Sequence, residues 1–320
     1  LDAPNFQEVI VPLHYTHPWT VFGMPRLLAK YRTDVLFSPF FYATPFFRGS
    51  TVLTVHDLMW VLDPWLLARK NNLVDLVKIV AHRVFVPASI RRAKGILVPS
   101  MTTANELTQH YGVASEKIKI TPLGLDHLTF PDRVRPLNQR ENALLFLGSS
   151  KPYKNMSGAI DGLAAYLRRH PESRLEVRIV GRSDGFAPRV RKKVRELGLK
   201  DRVIFLGQVP DAELKHQLGI VRALLFPSMH EGFGFPPLEA MGYGTPVISS
   251  MRASLGEFLN GKVIPIQPDS ADSIADGIEA LEDQDRVRQL VADGLIHCRG
   301  FQWNETAART LALLKSCAST

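Results

Sequence analysis

The sequence predicts an α/β protein with parallel sheets, and three observations support this class. The chain has 320 residues, of which 45% are hydrophobic and 22% are charged, which is an ordinary globular composition with enough length for two domains. Short apolar runs that indicate buried strands recur along the chain. Glycine-rich or polar turns follow several of these runs, and helix-forming stretches follow the turns, as in βαβ units.

The first half of the chain alternates candidate strands and helices. The predicted strands cover residues 8–11, 34–37, 51–55, 95–99 and 118–121, and the predicted helices cover residues 25–30, 71–92 and 102–111. Pro87 predicts either a kink in the long helix or its division into two. Ser100 predicts the N-cap of the next helix, because a serine oxygen accepts a hydrogen bond from a free amide of the first turn.

The second half repeats this pattern after a polar segment with two prolines, residues 131–140, which predicts a linker. The predicted strands cover residues 142–147, 175–180, 203–206 and 223–226, with a further strand that begins at Val247. Asp211 is predicted to cap a helix over residues 212–218. The second half is therefore expected to form its own α/β unit.

The chain is basic, with a net charge of +8. An anionic substrate explains this excess more simply than nucleic acid, because no basic motif interleaved with aromatic residues is present. The basic side chains along residues 71–92 are expected to form a helix face that is exposed to solvent. The alternative is that this face makes peripheral contact with an anionic membrane. Cys298 and Cys317 lack metal-ligand spacing, and no apolar run approaches the roughly 20 residues that span a bilayer. The expected location is cytoplasmic, with the inner face of the membrane as the alternative.

The turn over residues 148–155 reads GSSKPYKN and suits phosphate. A glycine after a strand, small hydroxyl residues and a lysine before a helix together favour anion binding. Lys154 is the predicted point charge for a diphosphate leaving group. The alternative is a surface lysine at a helix start, which is disfavoured because a cation there opposes the helix dipole.

The stretch over residues 230–250 reads HEGFGFPPLEAMGYGTPVISS and predicts a loop and a helix between two buried strands. Its glycines allow the loop amides to approach a ligand, ahead of a helix N-terminus that favours anions. Glu231 and Glu239 flank these amides, and carboxylates are strong acceptors for hydroxyl groups. A nucleotide sugar has phosphate in the middle and hydroxyls at both ends, so it fits. On spacing alone, a plain turn with a solvated Glu239 is an equal alternative.

Taken together, these motifs resemble the signature of the retaining glycosyltransferases of family 4. Glu231 and Glu239, with seven residues between them, both lie in EGFGFPPLEAM, and Gly-Thr-Pro-Val-Ile follows a short distance later. The segment TVLTVHDL, residues 51–58, resembles the family segment in which a histidine reaches the interdomain cleft. The Lys-Asn pair at 154–155 resembles the mannosyltransferase-like branch. The resemblance implies the GT-B fold, in which two Rossmann-like domains face each other across a cleft.

The resemblance also implies a role for each matched residue. His56 and Glu231 would contact the transferred sugar, and Lys154 would bind the diphosphate. Glu239 would hold the ribose hydroxyls, and the backbone near Val209 would hold the base. The rest of the implied donor-binding set is Gly148, Ser149, Arg182, Gly232, Phe233, Gly234 and Phe235. Ser149 stands where the family often has an arginine, so Lys151 or Arg182 would supply the second charge.

The family pattern implies an acceptor domain over residues 1–135 and a nucleotide-sugar domain over residues 136–300. A last helix within residues 301–320 would cross back to the first domain, with Trp303 as an anchor rather than a ligand. The opening strand, glycine-rich loop and helix that help the family bind its acceptor are not found. The first domain is therefore expected to be shortened at its N-terminus.

The expected function is transfer of a sugar from a nucleoside diphosphate sugar, with GDP-mannose favoured, to a hydroxyl of a saccharide or lipid-linked saccharide in polysaccharide biosynthesis. The anomeric configuration would be retained. No cofactor and no metal ion are expected, because Lys154 and the amides of a helix N-terminus can neutralise the diphosphate. Two alternatives remain open: a sugar-nucleotide epimerase or hydrolase of similar fold, and a non-catalytic sugar-nucleotide-binding protein.

Overall fold

The computed structural model describes residues 5–11, 22–44, 46–59, 73–182 and 187–318, and these form two α/β units. Each unit is built on one sheet in which all strand pairs are parallel. Parallel sheets need helices on their faces, which matches the alternation of strands and helices along the sequence.

The first sheet has four strands in the order β1-β2-β3-β4. The strands are β1 (Val35–Ser38), β2 (Ser50–Thr54), β3 (Gly95–Val98) and β4 (Ile118–Ile120), and the helices are α1 (Met24–Lys30), α2 (Leu73–Arg92) and α3 (Met101–Tyr111). Every residue of β2 and β3 is buried, which fits the absence of charged residues from both strands. The predicted cap of α3 is confirmed, because the Thr103 amide donates to Ser100 Oγ at 3.1 Å.

The second sheet has six strands in the order β10-β9-β8-β5-β6-β7. The strands are β5 (Glu141–Leu147), β6 (Glu176–Val180), β7 (Val203–Gly207), β8 (Val221–Phe226), β9 (Val247–Ser250) and β10 (Ile264–Ile266). The helices are α4 (Met156–Arg169), α5 (Ala187–Glu196), α6 (Asp211–Ile220), α7 (Phe235–Gly242), α8 (Ser254–Leu259), α9 (Ala271–Glu279), α10 (Gln284–Cys298) and α11 (Trp303–Ala318). Two apolar clusters bury the two faces of this sheet.

The strand order reverses between β5 and β8, and this reversal positions the site. From β5 the chain adds β6 and β7 on one side, and from β8 it adds β9 and β10 on the other. The connections at such a switch point leave in opposite directions, so a crevice opens beyond the carboxyl ends of the two central strands. The turn after β5 and the loop after β8 therefore lie side by side.

Helix α11 packs against the first sheet. Ser50 Oγ at the start of β2 donates to Cys317 O at 2.8 Å. Trp303 opens the helix, and its Nε1 donates to His127 Nδ1 at 2.8 Å while its amide donates to Asp126 Oδ1 at 2.7 Å. These contacts agree with an anchoring role for Trp303.

Two local predictions are corrected, and one of the two alternatives for Pro87 is excluded. Residues 8–11 form no strand, and Ile10 is 79% exposed, because no strand among the described residues pairs with the segment. Asp211 is not an N-cap, since Pro210 occupies that position and Asp211 is the first helical residue. Pro87 does not divide the long helix, because α2 continues through it. Residues 71 and 72, the start of that predicted helix, lie outside the described residues.

Among the helices of the described chain, none combines the length and apolar character that crossing a membrane requires. The longest of them, α2, has charged residues along its length and ends on Arg91 and Arg92.

Candidate active site

Lys154 and Glu231 form a partly buried ion pair at the switch point. Lys154 ends a 3₁₀ turn after β5 (Pro152–Lys154), and Glu231 lies in the loop after β8. Lys154 Nζ donates to Glu231 Oε1 at 2.7 Å, and the side chains are 16% and 12% exposed. The stem of Lys154 lies over Gly148, and its ammonium is 5.2 Å from the ring centre of Tyr153. The pair therefore joins the two turns that border the crevice.

Serine hydroxyls fix the loop that carries Glu231. Ser228 Oγ donates to Glu231 Oε1 at 2.7 Å, and Ser254 Oγ donates to Glu231 O at 2.7 Å. The Met229 amide donates to Tyr153 O at 2.7 Å, which ties the loop to the Lys154 turn. Because Oε1 is held by Lys154 and Ser228, Glu231 Oε2 is the oxygen that can accept a hydroxyl of a ligand.

The first domain reaches the site through the segment after β2. His56 Nε2 lies 3.1 Å from Pro39 O, and that nitrogen carries the proton because a carbonyl oxygen only accepts. A β-carbon on Gly232 would lie 1.8 Å from His56 O, so the two backbones touch there and a larger residue cannot fit. The structure thus brings His56 and the Glu231 loop together across the two domains.

The Gly-Phe-Gly-Phe loop presents backbone rather than rings to the crevice. Phe233 is 5% exposed, and its ring centre lies 4.7 Å from that of Phe258 and 5.5 Å from that of Phe301. Its ring is part of the core, so only its backbone can face a ligand. Gly234 has a φ of 98°, which glycine adopts readily, and this turn leads into α7 at Phe235.

Glu239 lies on α7 close to the turn after β7. Burial raises the pKa of Glu239, and the nearby negative charge of Asp211 raises it as well. Asp211 begins α6, two residues beyond Val209, whose side chain packs against the second-domain core. The structure therefore places Glu239 near the Val209 turn, as a shared nucleoside site would require.

The other predicted residues lie on the turns after β5 and β6. Gly148 and Ser149 begin the first turn, and Arg182, on the second turn, is exposed. The second turn continues into residues 183–186, which lie outside the described residues. Within the part of the chain that the structure describes, neither Arg182 nor Lys151 forms an ion pair, so no contact selects either as the second cation.

Two residues at the site were missed by the sequence reasoning. Glu106 on α3 lies 3.4 Å from His230, measured from Oε1 to Nε2, and the side chains are 15% and 13% exposed. Burial, and next the charge of Asp57, raise the pKa of Glu106 to about 7. Burial lowers the pKa of His230, although Asp57 and Glu231 oppose this. The sequence signal was faint: Glu106 lies one turn from buried Thr103 on an amphipathic helix.

No group of three or more His, Cys, Asp or Glu side chains in the described ranges has the arrangement to hold a metal ion. Lys154 brings a positive charge to the crevice.

The sequence matches two protein families. Residues 131–293 match the family described as Glycosyl transferases group 1, and residues 4–127 match Glycosyltransferase Family 4. The chain is 31% identical over 257 residues to the O-antigen chain mannosyltransferase RfbU of Salmonella typhimurium, which covers 80% of this chain and 67% of the relative. It is 27% identical over 299 residues to the O-antigen chain mannosyltransferase B of Escherichia coli, covering 90% and 76%.

Solved structures of the GT-B fold resemble the whole chain. A sucrose-phosphate synthase from Thermosynechococcus elongatus superposes with a TM-score of 0.72 at 22% identity, over 93% of this chain and 77% of that one. Anabaena HepE, solved with UDP and glucose, superposes with a TM-score of 0.68 at 16% identity, over 94% and 81%. At these identities the likeness shows the shared fold.

Proposed function

Because this chain belongs to the group 1 and family 4 glycosyltransferases, we propose that it moves a sugar from a nucleoside diphosphate sugar to a hydroxyl of a saccharide or lipid-linked saccharide, with retained configuration and without a metal ion. The observation that carries the proposal is the partly buried Lys154–Glu231 pair at the switch point, with the backbones of His56 and Gly232 in contact beside it.

The charges of the site suit the parts of such a donor. The Lys154 ammonium suits the diphosphate, on which negative charge develops as the sugar leaves. Glu231 Oε2 suits a sugar hydroxyl, and Glu239 near the Val209 turn suits the ribose hydroxyls. Anabaena HepE, which was solved with UDP and glucose, supports a donor of this class.

A same-face displacement fits the environment of Glu231 better than attack by its carboxylate. One of its oxygens is bound by Lys154 and Ser228, which stabilises the anion and weakens it as a nucleophile. In the proposed step the bond from the anomeric carbon to the diphosphate oxygen breaks. The acceptor oxygen bonds to the same face of that carbon, and the acceptor proton passes to the departing phosphate. Configuration is thereby retained.

Mannose is the favoured sugar and a growing polysaccharide is the favoured acceptor class. Two of the relatives are O-antigen chain mannosyltransferases. The Lys-Asn pair at 154–155 in this chain also resembles the mannosyltransferase-like branch. Asn155 has a structural reason to be there, because it adopts the left-handed conformation and caps α4 through a bond from the Gly158 amide to its Oδ1 at 3.1 Å.

A panel of nucleotide sugars tests the donor directly. Binding to the folded state raises the melting temperature by mass action, so GDP-mannose is expected to give the largest shift and the free nucleotide a smaller one. The best donor is then incubated alone, and with acceptor, in the presence of a chelator. Transfer that needs the acceptor and survives chelation supports the proposal. Steady isomerisation or hydrolysis of donor alone contradicts it, as does binding without turnover on any acceptor.

Glu231→Gln tests the residue that carries the proposal. The amide keeps the shape but removes the charge that binds Lys154 and a sugar hydroxyl, so kcat should fall about 100- to 1,000-fold, the loss typical for one preorganised group. Glu196→Gln on exposed α5 is the matched control and should leave kcat unchanged. Steady-state kinetics with an unaltered melting temperature make the comparison, and a wild-type kcat for Glu231→Gln would remove Glu231 from the site.

A further inference from the structure

A second buried carboxylate faces the Glu231 loop, and it comes from the other domain. Glu106 projects from α3 in the first domain, and His230 directly precedes Glu231 in the second. At 3.4 Å the two side chains are in contact, and both are largely shielded from water. A buried carboxyl group is seldom kept at an interface without a partner that satisfies it.

Each side chain of the pair has one buried polar atom without a hydrogen bond. Glu106 Oε2 and His230 Nε2 are fully buried and make no hydrogen bond within the described chain. A displacement of a few tenths of an ångström would turn the 3.4 Å contact into a hydrogen bond, provided that one proton lies between carboxyl and imidazole. The Glu106–His230 contact can therefore become a hydrogen bond only when the pair holds one proton.

The surrounding charges favour keeping one proton on the pair. Asp57 after β2 and Glu231 beside His230 are both negative and both act on this cluster. Lys154 on the neighbouring turn is paired with Glu231. Glu257 of α8 accepts hydrogen bonds from the Met101 and Thr102 amides at the start of α3, at 3.0 and 3.2 Å. It brings further negative charge to that helix.

We propose that Glu106 is a positioning residue, which holds His230 through one shared proton and thereby fixes Glu231 from the opposite domain. The inference rests on the proposed function, in which Glu231 contacts the transferred sugar. Glu106 has no role in bond making. It sets the position of the loop, and the loop sets the geometry of the reaction.

The proposal predicts a definite pH response. Burial raises the pKa of Glu106 to about 7, so the carboxyl is protonated below that pH and can donate to His230 Nε2. Above it, Glu106 becomes a third anion beside Asp57 and Glu231, and the loop is pushed away. The value of kcat should therefore fall as pH rises through about 7, and the ionisation of Glu106 should cause this fall.

Two variants separate positioning from a general structural role. Glu106→Gln supplies a neutral N–H donor at every pH, so it should keep kcat within about threefold at low pH and lose the Glu106-dependent fall at high pH. Glu106→Ala removes the contact and should lower kcat about 10- to 100-fold at all pH values with donor KM nearly unchanged, since misplacement of a reacting group acts on kcat. Glu116→Gln, an exposed carboxylate just after α3, should match wild type.

The His230 ring supplies a readout that does not require turnover. In the wild type its NMR titration should show a step shared with Glu106, and this step should vanish in Glu106→Gln. A wild-type pH profile and titration for Glu106→Gln would overturn the proposal, and so would a wild-type kcat for Glu106→Ala. If the wild type transfers no sugar at all, the proposed function fails, and the titration alone decides whether the Glu106–His230 coupling exists. If Glu106→Ala does not fold, the Gln variant carries the test.

Discussion

At the scale of single residues, the site is organised by which oxygen of each carboxylate is engaged. Glu231 has one oxygen bound by Lys154 and Ser228 and one that can take a ligand hydroxyl. Glu239 makes no side-chain hydrogen bond among the described residues, and burial raises its pKa. A buried carboxylate with spare acceptors is a strong site for hydroxyl groups, because each new bond offsets its lost hydration.

Lys154→Gln should weaken donor binding and slow transfer. The substitution removes the charge proposed for the diphosphate and leaves Glu231 without its cation, so kcat/KM should fall about 10- to 100-fold, the range for a charged hydrogen bond. Lys192→Gln on the surface of α5 is the matched control. Calorimetric titration with donor, alongside kinetics, measures both effects. Equal donor affinity in the wild type and Lys154→Gln would contradict this assignment.

Glu106 also makes stability depend on pH. Its ordinary pKa is 4.5, and burial raises the pKa to about 7 in the folded protein. The folded state therefore binds the proton more tightly, so the contribution of Glu106 is present below about pH 4.5 and is lost as pH rises towards 7. Denaturant unfolding across that range should show wild type losing stability relative to Glu106→Gln. A pH-independent difference between the two proteins would contradict the burial of this group.

At the scale of elements, helix packing around the second sheet depends on close approach. Gly162 on α4 lies against Ile274 on α9, and a β-carbon on Gly162 would be 2.2 Å from Ile274 Cγ2. Ile274 is fully buried, so it cannot move aside easily. The small residue thus sets the distance between the two helices, which cover one face of the sheet.

Gly162→Ala should destabilise the protein by about 1–3 kcal/mol, because overpacking a buried contact forces side chains or helices to shift. Gly219→Ala offers an internal control, since a β-carbon there has no neighbour within 4 Å. Alanine is the better helix former by up to about 1 kcal/mol, so that variant should be neutral or slightly more stable. Urea midpoints compare the two, and equal midpoints would mean that α4 and α9 have room to separate.

At the scale of the whole molecule, the two domains are joined by contacts at the crevice and by the last helix. Glu257 of α8 binds the first amides of α3, the Gly232 backbone touches His56, and Glu106 faces His230. Helix α11 crosses from the second domain to the first sheet. The crevice contacts link the relative position of the domains to the geometry of the Glu231 loop.

Gly232→Ala should hold the domains apart. Its β-carbon would overlap His56 O, and the φ of Gly232 is not positive, so the contact is the obstacle rather than the backbone. We expect a larger radius of gyration by solution scattering and a fall in kcat/KM of about 100-fold, since a shift near 1 Å in a site can have that effect. Gly219→Ala again serves as control. Unchanged scattering and unchanged activity would show that the His56 contact does not govern the site.

Much of the fold follows from local patterns that a sequence displays. Buried parallel strands need continuous apolar runs, and helices begin and end at capping residues, so β2, β3, β5 and β8 and the cap at Ser100 were predicted. The Glu231 loop and the Lys154 turn were predicted because ligand loops follow the carboxyl ends of strands. The predicted strand over residues 8–11 failed because a short apolar run does not show whether a partner strand exists.

The sequence by itself determined the two parallel sheets, the family and the residues at the ends of β2, β5 and β8. Only the tertiary structure decided which of those residues meet. It joined Lys154 to Glu231, directed the Phe233 ring into the core, and brought Glu106 to His230 from 124 positions away in the printed sequence. The physical reason is that strand and turn signals are carried by neighbours along the chain, whereas contacts between domains depend on the packing of surfaces that no local pattern describes.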